Sequence, residues 1–315
     1  MKVLFVASGN KTGQPGTVVQ NQAKSLTNAG IELDFFLIIG KGLTGYLKNI
    51  IPIYKHLKNN RYDIVHSHYS LSAIVTTIAL WFAPGKVHVV SLMGSDTKLK
   101  GVFKQLVKLG SNNFWSRTIV KSQKMLEDSG LKNAEVIPNG VDIKEIERIE
   151  SGLPSKEIIN DNSGKPTVLF AANPARESKN YPLAAKAMNN TPAEFKVVYD
   201  LKHEEIIKEL LKTDVLLSTS LWEGSPNLIK EAMACNCPVV STGVGDVEWL
   251  FGKTEGYFIT SFEPEDVSRK VIKALEFAGS IGRTKGKERI REIGLDAESV
   301  ANRIIQVYKS ALKQA

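Results

Sequence analysis

Short apolar runs alternate with longer stretches of helical periodicity along the whole chain. Between the runs, stretches such as 18–30 carry apolar residues at i, i+3 and i+4, which is typical of amphipathic helices. Continuous apolar strands that alternate with helices predict parallel sheets covered by helices on both faces. We therefore expect an α/β protein. The predicted strands are 2–7, 31–39, 63–68, 86–92, 117–121 and 134–138 in the first half, and 167–172, 195–200, 214–219, 238–242 and 256–260 in the second.

A polar segment separates the two halves of this pattern. Residues 151–164, SGLPSKEIINDNSG, contain Gly, Pro and Asn and are the best linker candidate. We predict two Rossmann-like domains, 1–150 and 151–296, that face each other across a cleft at the carboxyl ends of their strands. No strand follows the last helical pattern in residues 297–315, and we expect this helix to cross back onto the first domain.

Charge and cysteine content narrow the class of protein only partly. The 315 residues include 41 Lys and Arg against 33 Asp and Glu, a net charge of +8. This excess suits a nucleic acid, an anionic membrane surface or a phosphate-bearing small molecule. Since no aromatic-basic binding motif occurs, we expect no nucleic-acid partner. Cys235 and Cys237 are expected to be buried and reduced, which indicates a cytoplasmic protein.

Neither the start of the chain nor its longest apolar stretch indicates a membrane segment. The apolar run in MKVLFVASG is shorter than the core of a signal peptide and leads into a glycine-rich turn. Residues 71–83 contain Ser and Thr and fall short of the ~20 residues that a membrane span needs.

The stretch LWEGSPNLIKEAMA at residues 221–234 places two glutamates on either side of a predicted helix start. Ser225 is expected to cap this helix, with Pro226 in its first position. Glu223 then lies on a loop and Glu231 inside the helix, and the free N–H groups between them can hold a phosphate. Each carboxylate can accept hydrogen bonds from a sugar diol. A surface acid and an exposed helical glutamate would show the same spacing, so the surrounding sequence has to decide.

The segment EGSPNLIKEAMACNCPVVST (223–242) resembles the nucleotide-sugar signature of the retaining GT-B glycosyltransferases of the family-4 type. The resemblance implies the GT-B fold and the transfer of a hexosyl group, with retention, from a UDP-, GDP- or other nucleotide-diphosphate sugar. The acceptor would be a saccharide or a lipid-linked sugar, and no cofactor is implied beyond the donor. Further segments resemble the family in the same order along the chain: 7–30, 63–68, 91–96, 136–142, 175–188 and 243–250.

The resemblance also implies roles for individual residues of the second domain. Glu231 would bind the donor ribose and Glu223 would approach the transferred sugar. A basic pair, Lys179 and Arg176, would neutralise the diphosphate as the glycosidic bond breaks, although its spacing is shorter than is usual in the family. Around the diphosphate the resemblance places Gly224 and the backbone N–H groups of Ser225, Asn227 and Leu228.

In the first domain the resemblance assigns a phosphate-covering loop and several residues that face the cleft. The chain has Gly-Gln-Pro-Gly where the family often has two adjacent glycines, and Gly16 is the residue we assign to the donor, together with Asn139. Met93 stands where the family commonly has a histidine that contacts the donor sugar. Methionine cannot act as a base, but the front-face mechanism most often proposed for the family needs positioning and charge stabilisation more than a base. The residues expected near the acceptor or the cleft are His68, Met93 and Asp96.

Two histidines in the first half of the chain are further candidates, and one missing motif bears on metal binding. His66 and His68 alternate at the end of a strand, and we expect one on each face of the sheet. His66 would be structural, whereas His68 would either line the cleft or be buried. No Asp-x-Asp motif occurs in the chain, so we expect no metal at the diphosphate.

Two segments of the first domain, 44–61 and 98–110, mix lysines with apolar residues. Lys100, Lys104 and Lys108 form one helical stripe. Such surfaces attract anionic lipid headgroups, although solvated helix faces show the same pattern. Our hypothesis is a peripheral enzyme at the inner face of the cytoplasmic membrane, acting on a lipid-linked sugar in capsule or lipopolysaccharide assembly. The alternatives are a GT-B epimerase or hydrolase and a non-catalytic nucleotide-sugar-binding module.

Overall fold

A computed structural model of the chain describes residues 1–10, 13–94, 96, 101–154, 164–189 and 191–314. The chain forms two compact units, one of Met1–Gly140 with Ala297–Ala315 and one of Val141–Asp296. Each unit contains one parallel sheet with helices between successive strands. The predicted α/β class with two Rossmann-like domains is confirmed.

The first unit is built on six parallel strands in the order β2-β1-β3-β4-β5-β6. Its strands are β1 (Lys2–Ser8), β2 (Glu32–Ile38), β3 (Ile64–His68), β4 (Val87–Ser91), β5 (Arg117–Val120) and β6 (Ala134–Val136). Its helices up to Gly140 are α1 (Thr17–Asn28), α2 (Gly42–Leu47), α3 (Ile50–Asn59), α4 (Ser70–Trp81), α5 (Gly101–Asn113) and α6 (Gln123–Ser129).

The second unit has five parallel strands in the order β11-β10-β9-β7-β8. Its strands are β7 (Thr167–Ala171), β8 (Glu194–Val198), β9 (Val215–Ser218), β10 (Val239–Thr242) and β11 (Tyr257–Thr260). Its helices are α7 (Ile143–Ser151), α8 (Tyr181–Met188), α9 (His203–Lys212), α10 (Asn227–Ala234), α11 (Val247–Phe251), α12 (Pro264–Ser280) and α13 (Gly286–Glu292). Every predicted strand is present, because each apolar run is long enough for one strand and is bounded by polar or turn residues.

The last helix, α14 (Ala297–Lys313), belongs to the first unit and packs against α1 and β4. Tyr308 on α14 is fully buried, and its hydroxyl lies 2.6 Å from Nδ1 of His66. Burial lowers the pKa of His66 well below its ordinary value, so the ring is neutral. A neutral ring that accepts from Tyr308 at Nδ1 carries its proton on Nε2, which then donates to Ser91 Oγ at 2.9 Å.

The change from the first unit to the second comes ten residues before the predicted boundary at residue 150. Val141 donates its N–H to the Leu295 carbonyl, and the Asp142 side chain caps α7 by accepting from the Glu145 N–H. These pairings attach α7 to the second unit, whereas the composition of the sequence marked only the polar segment that follows. Residues 155–163 of the predicted linker lie outside the described residues.

Candidate functional site

The loops after β7 and β9 start from neighbouring strands of the second sheet, although β8 lies between them in sequence. At this point the order of strands reverses, because β8 lies on one side of β7 and β9 to β11 lie on the other. In open α/β sheets ligands bind at such a switch point, beyond the carboxyl ends of the strands. The first loop carries Arg176 and Lys179, and the second carries Glu223, Gly224 and Ser225.

Lys179 and Glu223 form an ion pair between these two loops. Lys179 Nζ lies 2.5 Å from Glu223 Oε1, and each side chain is only about one-fifth exposed. Ser220 Oγ donates to the same carboxylate oxygen at 3.0 Å. The second oxygen, Oε2, accepts a hydrogen bond from no described residue and can accept one from a ligand hydroxyl.

Side-chain and backbone hydrogen bonds hold the two loops against each other. Thr219 Oγ1 donates to the carbonyls of Lys179 and Asn180 at 3.1 and 3.0 Å. The Leu221 N–H donates to the Ser178 carbonyl at 2.9 Å. Lys179 is therefore positioned by the end of β9 and not by its own short loop alone.

A third loop, which follows β10, touches the backbone beside Glu223. Gly245 has φ +65°, and a Cβ atom there would lie 2.7 Å from the Gly224 carbonyl oxygen. Any side chain at Gly245 would strain its backbone and push the loops apart. Gly245 thus allows the loop after β10 to pack directly against the backbone of Gly224, whose role at the donor stays a prediction.

The start of α10 differs by one position from the prediction. Pro226 occupies the cap position and Asn227 is the first helical residue, so Ser225 does not cap the helix as expected. The Lys230 N–H closes the first turn on the Pro226 carbonyl. The N–H groups of Asn227 and Leu228 belong to this first turn, where a helix offers no carbonyl partner and its dipole favours an anion.

Glu231, one turn into α10, pairs with a histidine that the sequence analysis missed. His203 Nε2 lies 3.1 Å from Glu231 Oε1, and His203 Nδ1 lies 3.8 Å from Glu145 Oε1. His203 is the first residue of α9 and directly follows the loop after β8, so it lies at the same edge of the sheet. Its only sequence signal was this position after a strand. Glu231 Oε2 accepts from no described residue, as was found for Glu223.

His203 should make the stability of the second unit depend on pH. Its pKa is raised, chiefly because it donates to the Glu231 carboxylate and further because Glu145 and Asp142 are negative. The stabilisation is then fully present below the ordinary histidine pKa of about 6.5 and is lost as the pH rises through the raised pKa. We expect His203→Ala to lower the free energy of unfolding by about 1 kcal/mol at pH 5.5 and by less at pH 8.5.

Denaturant unfolding of both proteins at the two pH values measures this difference. Glu231→Gln is the matched control, because it removes the carboxylate and should reduce the same pH dependence. Equal destabilisation by His203→Ala at both pH values would show that the pair carries no charge-dependent stabilisation.

The fully buried Lys230 on α10 and the half-buried Asp246 on the loop after β10 influence each other's charge. Lys230 is fully buried, and burial lowers its pKa to about 8 although Asp246 and Glu231 attract its proton. Burial likewise raises the pKa of Asp246 to about 6, opposed by the charge of Lys230. The sequence analysis missed both residues, because a lysine before the helical glutamate looks like part of an exposed helix face.

Arg176 lies on the same loop as Lys179 but does not reach Glu223. Its side chain is exposed and forms no ion pair with any described residue. The structure therefore brings Lys179 against Glu223 and leaves Arg176 exposed on the same loop.

The first-unit residues assigned to the donor lie on loops at the carboxyl ends of strands. Gly16 is the exposed residue that immediately precedes α1, with an extended backbone. Asn139 is half-buried on the loop after β6. The donor-binding role of Gly16 and Asn139 stays a prediction.

Asp96 has a structural role that the sequence analysis did not anticipate. It is buried, and its carboxylate accepts from the backbone N–H groups of Ser70 at 3.2 Å and Met93 at 2.6 Å. Asp96 thus fixes the start of α4 and the loop after β4. Burial raises its pKa to about 6. Met93 itself is half-buried on that loop.

His68 is buried, which is one of the two positions expected for it. It is 2% exposed and its ring stacks on His66 with centroids 4.4 Å apart and lies 4.4 Å from the Phe5 ring. The two histidines share one face of the sheet, so the prediction of opposite faces is wrong, since side chains two residues apart on a strand point the same way. Burial lowers the pKa of His68 to about 3, which keeps the ring neutral.

The described residues contain neither a cluster that could bind a metal ion nor an exposed cysteine. Within the described ranges no three His, Cys, Asp or Glu side chains are gathered closely enough to hold a metal ion. Cys235 and Cys237 are buried free thiols, as predicted, and burial raises the pKa of Cys237 to about 11.

Sequence families identify the two halves of the chain. Residues 31–145 match the family described as Glycosyltransferase Family 4, and residues 176–292 match the one described as Glycosyl transferases group 1. The chain belongs to the GT-B glycosyltransferases. No curated protein sequence matches this GT-B glycosyltransferase significantly.

Solved structures share the fold over its whole length. Sucrose-phosphate synthase from Thermosynechococcus elongatus superposes with a TM-score of 0.78 at 16% identity, covering 100% of both chains. Anabaena Alr3699/HepE in complex with UDP-glucose gives 0.75 at 15% identity over 98% of this glycosyltransferase and 100% of that chain. The lipopolysaccharide outer core galactosyltransferase WaaB gives 0.69 at 14% identity over 98% and 99% of the two chains. At such identities the similarity is one of fold.

Proposed function

We propose that this glycosyltransferase transfers a hexosyl group, with retention, from a nucleotide-diphosphate sugar to a saccharide or lipid-linked acceptor. One observation carries the proposal. Glu223 and Glu231 flank the start of α10, and each uses one carboxylate oxygen for a basic side chain, Lys179 or His203, while its other oxygen accepts from no described residue. Two half-occupied acids on either side of a helix N-terminus match a ligand that has hydroxyls at both ends and a diphosphate between them.

Each group has a distinct task in this proposal. The free oxygen of Glu231 accepts from the ribose hydroxyls, and that of Glu223 accepts from hydroxyls of the transferred sugar. The N–H groups at the start of α10 and the Lys179 ammonium stabilise the negative charge that grows on the leaving diphosphate. Retention would follow from attack on the same face, with a leaving phosphate oxygen taking the acceptor proton. No protein base is then needed, which is compatible with Met93 in the first unit.

The donor and acceptor classes have different support. The complex of HepE with UDP-glucose and the name of WaaB show that proteins of this fold bind or act on such molecules, which makes a UDP-sugar the first donor to test. The acceptor class is proposed from the positive charge of the first unit, which suits the anionic surface of the cytoplasmic membrane. An acceptor at that surface would be a lipid-linked sugar in cell-surface polysaccharide assembly. Metal independence is proposed because Lys179 and the helix dipole supply the positive charge.

Glu231→Ala is expected to weaken UDP or GDP binding about tenfold to a hundredfold, because the ribose loses its charged acceptor. Isothermal titration calorimetry measures the change directly. Glu248→Ala is the matched control, since Glu248 is an exposed glutamate at the start of α11 and should leave the affinity unchanged.

Unchanged nucleotide affinity of Glu231→Ala would remove the ribose role and with it the proposed donor site. Product analysis without acceptor tests the rival activities. Steady release or inversion of the sugar would identify a hydrolase or an epimerase instead of a transferase.

A further inference from the structure

A strip of exposed apolar side chains crosses the first unit from α3 over the end of α4 to α5. We call this the apolar strip. Trp81 and Phe114 touch edge to face with ring centroids 5.7 Å apart, and Phe82 lies 6.3 Å from Tyr54. Ile51 precedes Tyr54 by one turn of α3, and Leu109 lies on the last turn of α5 before Phe114. The strip consists of the exposed Ile51, Trp81, Phe82, Leu109 and Phe114 and of the half-buried Tyr54.

These side chains are exposed to a degree that is unusual for neighbouring aromatic residues. Trp81 is 59% exposed, Phe82 66% and Ile51 64%. Single exposed apolar residues are common on soluble proteins, whereas a contiguous group that includes three large rings marks an interaction surface. None of these residues is assigned to the candidate donor site.

The charge around the strip selects the kind of partner. Residues 35–126 contain 13 Lys and Arg and only two acids, Asp63 and Asp96. Asp96 is buried, and Asp63 accepts from the backbone N–H of Lys2, so the exposed charge of this segment is overwhelmingly positive. Lys55 and Lys58 are exposed on α3, and Lys58 Nζ lies 6.0 Å from the centre of the Tyr54 ring.

The positive excess of the chain resides in the unit that carries the strip. The first unit has 20 Lys and Arg against 8 Asp and Glu, a net charge of +12, whereas the second has 21 against 25, a net charge of −4. Two copies that joined their strips would bring like charges together. The partner should instead have an anionic surface to match the lysines and an apolar layer below it to match the exposed rings.

We propose that the apolar strip docks the first unit on an anionic lipid bilayer, with the aromatic rings among the headgroups and the lysines on the lipid phosphates. Docking involves no membrane span, and within the described ranges every helix is too short or too polar for one. The stripe predicted on α5 takes part less than expected, because Lys104 Nζ donates to the Asp128 carbonyl and Lys100 lies outside the described residues. The inference rests on the proposed function only in that it brings the enzyme to a lipid-linked acceptor.

Co-sedimentation with vesicles tests the docking. At low salt the protein should bind vesicles of equal parts phosphatidylcholine and phosphatidylglycerol, bind pure phosphatidylcholine far less, and dissociate at high salt. The paired changes Trp81→Ser with Phe82→Ser, and Lys55→Glu with Lys58→Glu, should each lower the partition coefficient at least about tenfold. Matched controls in the second unit are Trp249→Ser, and Lys253→Glu with Lys273→Glu, which alter equally exposed residues and should not change binding.

Lack of binding at low salt, or equal loss in strip and control variants, would overturn the proposal. So would a dimer of the parent protein in sedimentation velocity that the Trp81→Ser, Phe82→Ser variant lacks, because the strip would then join two copies. UDP binding by calorimetry on the same preparations shows that each variant is folded. It also separates the two proposals, since failure to bind vesicles with UDP affinity intact contradicts the docking alone.

Discussion

A Lys179→Ala variant is expected to turn over the donor about 10²–10³ times more slowly than the parent enzyme, with a much smaller loss in nucleotide affinity. Lys179 is four-fifths buried at the switch point of the second sheet and is held there by Glu223 and by the loop contacts of Thr219. A preorganised charge of this kind acts mainly on the negative charge that develops as the glycosidic bond breaks. Its removal should therefore lower kcat more than it raises KM.

The measurement is steady-state kinetics with the donor that a thermal-shift screen of nucleotide sugars identifies. Lys186→Ala is the matched control, because Lys186 is an exposed lysine on α8, seven residues further along the chain. Glu223→Gln and the double variant extend the test, and the two changes should be non-additive if the ion pair acts as a unit. A kcat of Lys179→Ala equal to that of the control would remove Lys179 from the catalytic site.

Tyr308→Ala is expected to lower the free energy of unfolding of the first unit by about 4 kcal/mol. The ring is fully buried where α14 meets β3 and β4, so its truncation leaves a cavity that the packed sheet cannot fill. It also leaves Nδ1 of His66 without its donor, which adds the desolvation penalty of a buried polar atom. Burial raises the pKa of Tyr308 well above its ordinary value, so its hydroxyl stays protonated as this hydrogen bond requires.

Denaturant unfolding followed by circular dichroism measures this loss. Tyr308→Phe separates the loss of ring packing from the loss of the hydrogen bond. It keeps the ring and should lower the free energy of unfolding by only about 1–2 kcal/mol. Tyr199→Ala is the exposed control and should change the stability by less than about 0.5 kcal/mol. A loss below 1 kcal/mol for Tyr308→Ala would show that α14 packs on the first unit without stabilising it.

The strands and the fold class could be predicted because they depend on local patterns. Each strand of both sheets is a short apolar run between turn residues, and a run of that length and composition has few other ways to bury its side chains. The end of α10 depends on a local signal of the same kind, because Asn236 takes the left-handed conformation, with φ +55°, before Pro238. Its start was misplaced by one residue, because Ser225 and Pro226 both favour a helix start and only the packed loop decides between them.

The candidate site could be predicted only in part. The spacing of Glu223 and Glu231 across a helix start was visible in the sequence, and the structure places Lys179 against the first of them. His203 was not predicted, because it lies 28 residues from Glu231 in sequence and its position depends on the order of the strands. The sequence left two positions open for His68, and only the packed rings of Phe5 and His66 decide for burial.

The sequence by itself determined two parallel sheets, a helix start between two glutamates, and an excess of positive charge in the first half. Only the tertiary structure decided which basic residue meets Glu223, which histidine holds Glu231, and that apolar residues of three separate helices form one exposed strip. The physical reason is that periodicity and turn chemistry act between residues a few positions apart. Contacts across a sheet edge or between helices depend instead on which strands become neighbours, and here β8 separates β7 from β9 in sequence while the sheet joins them.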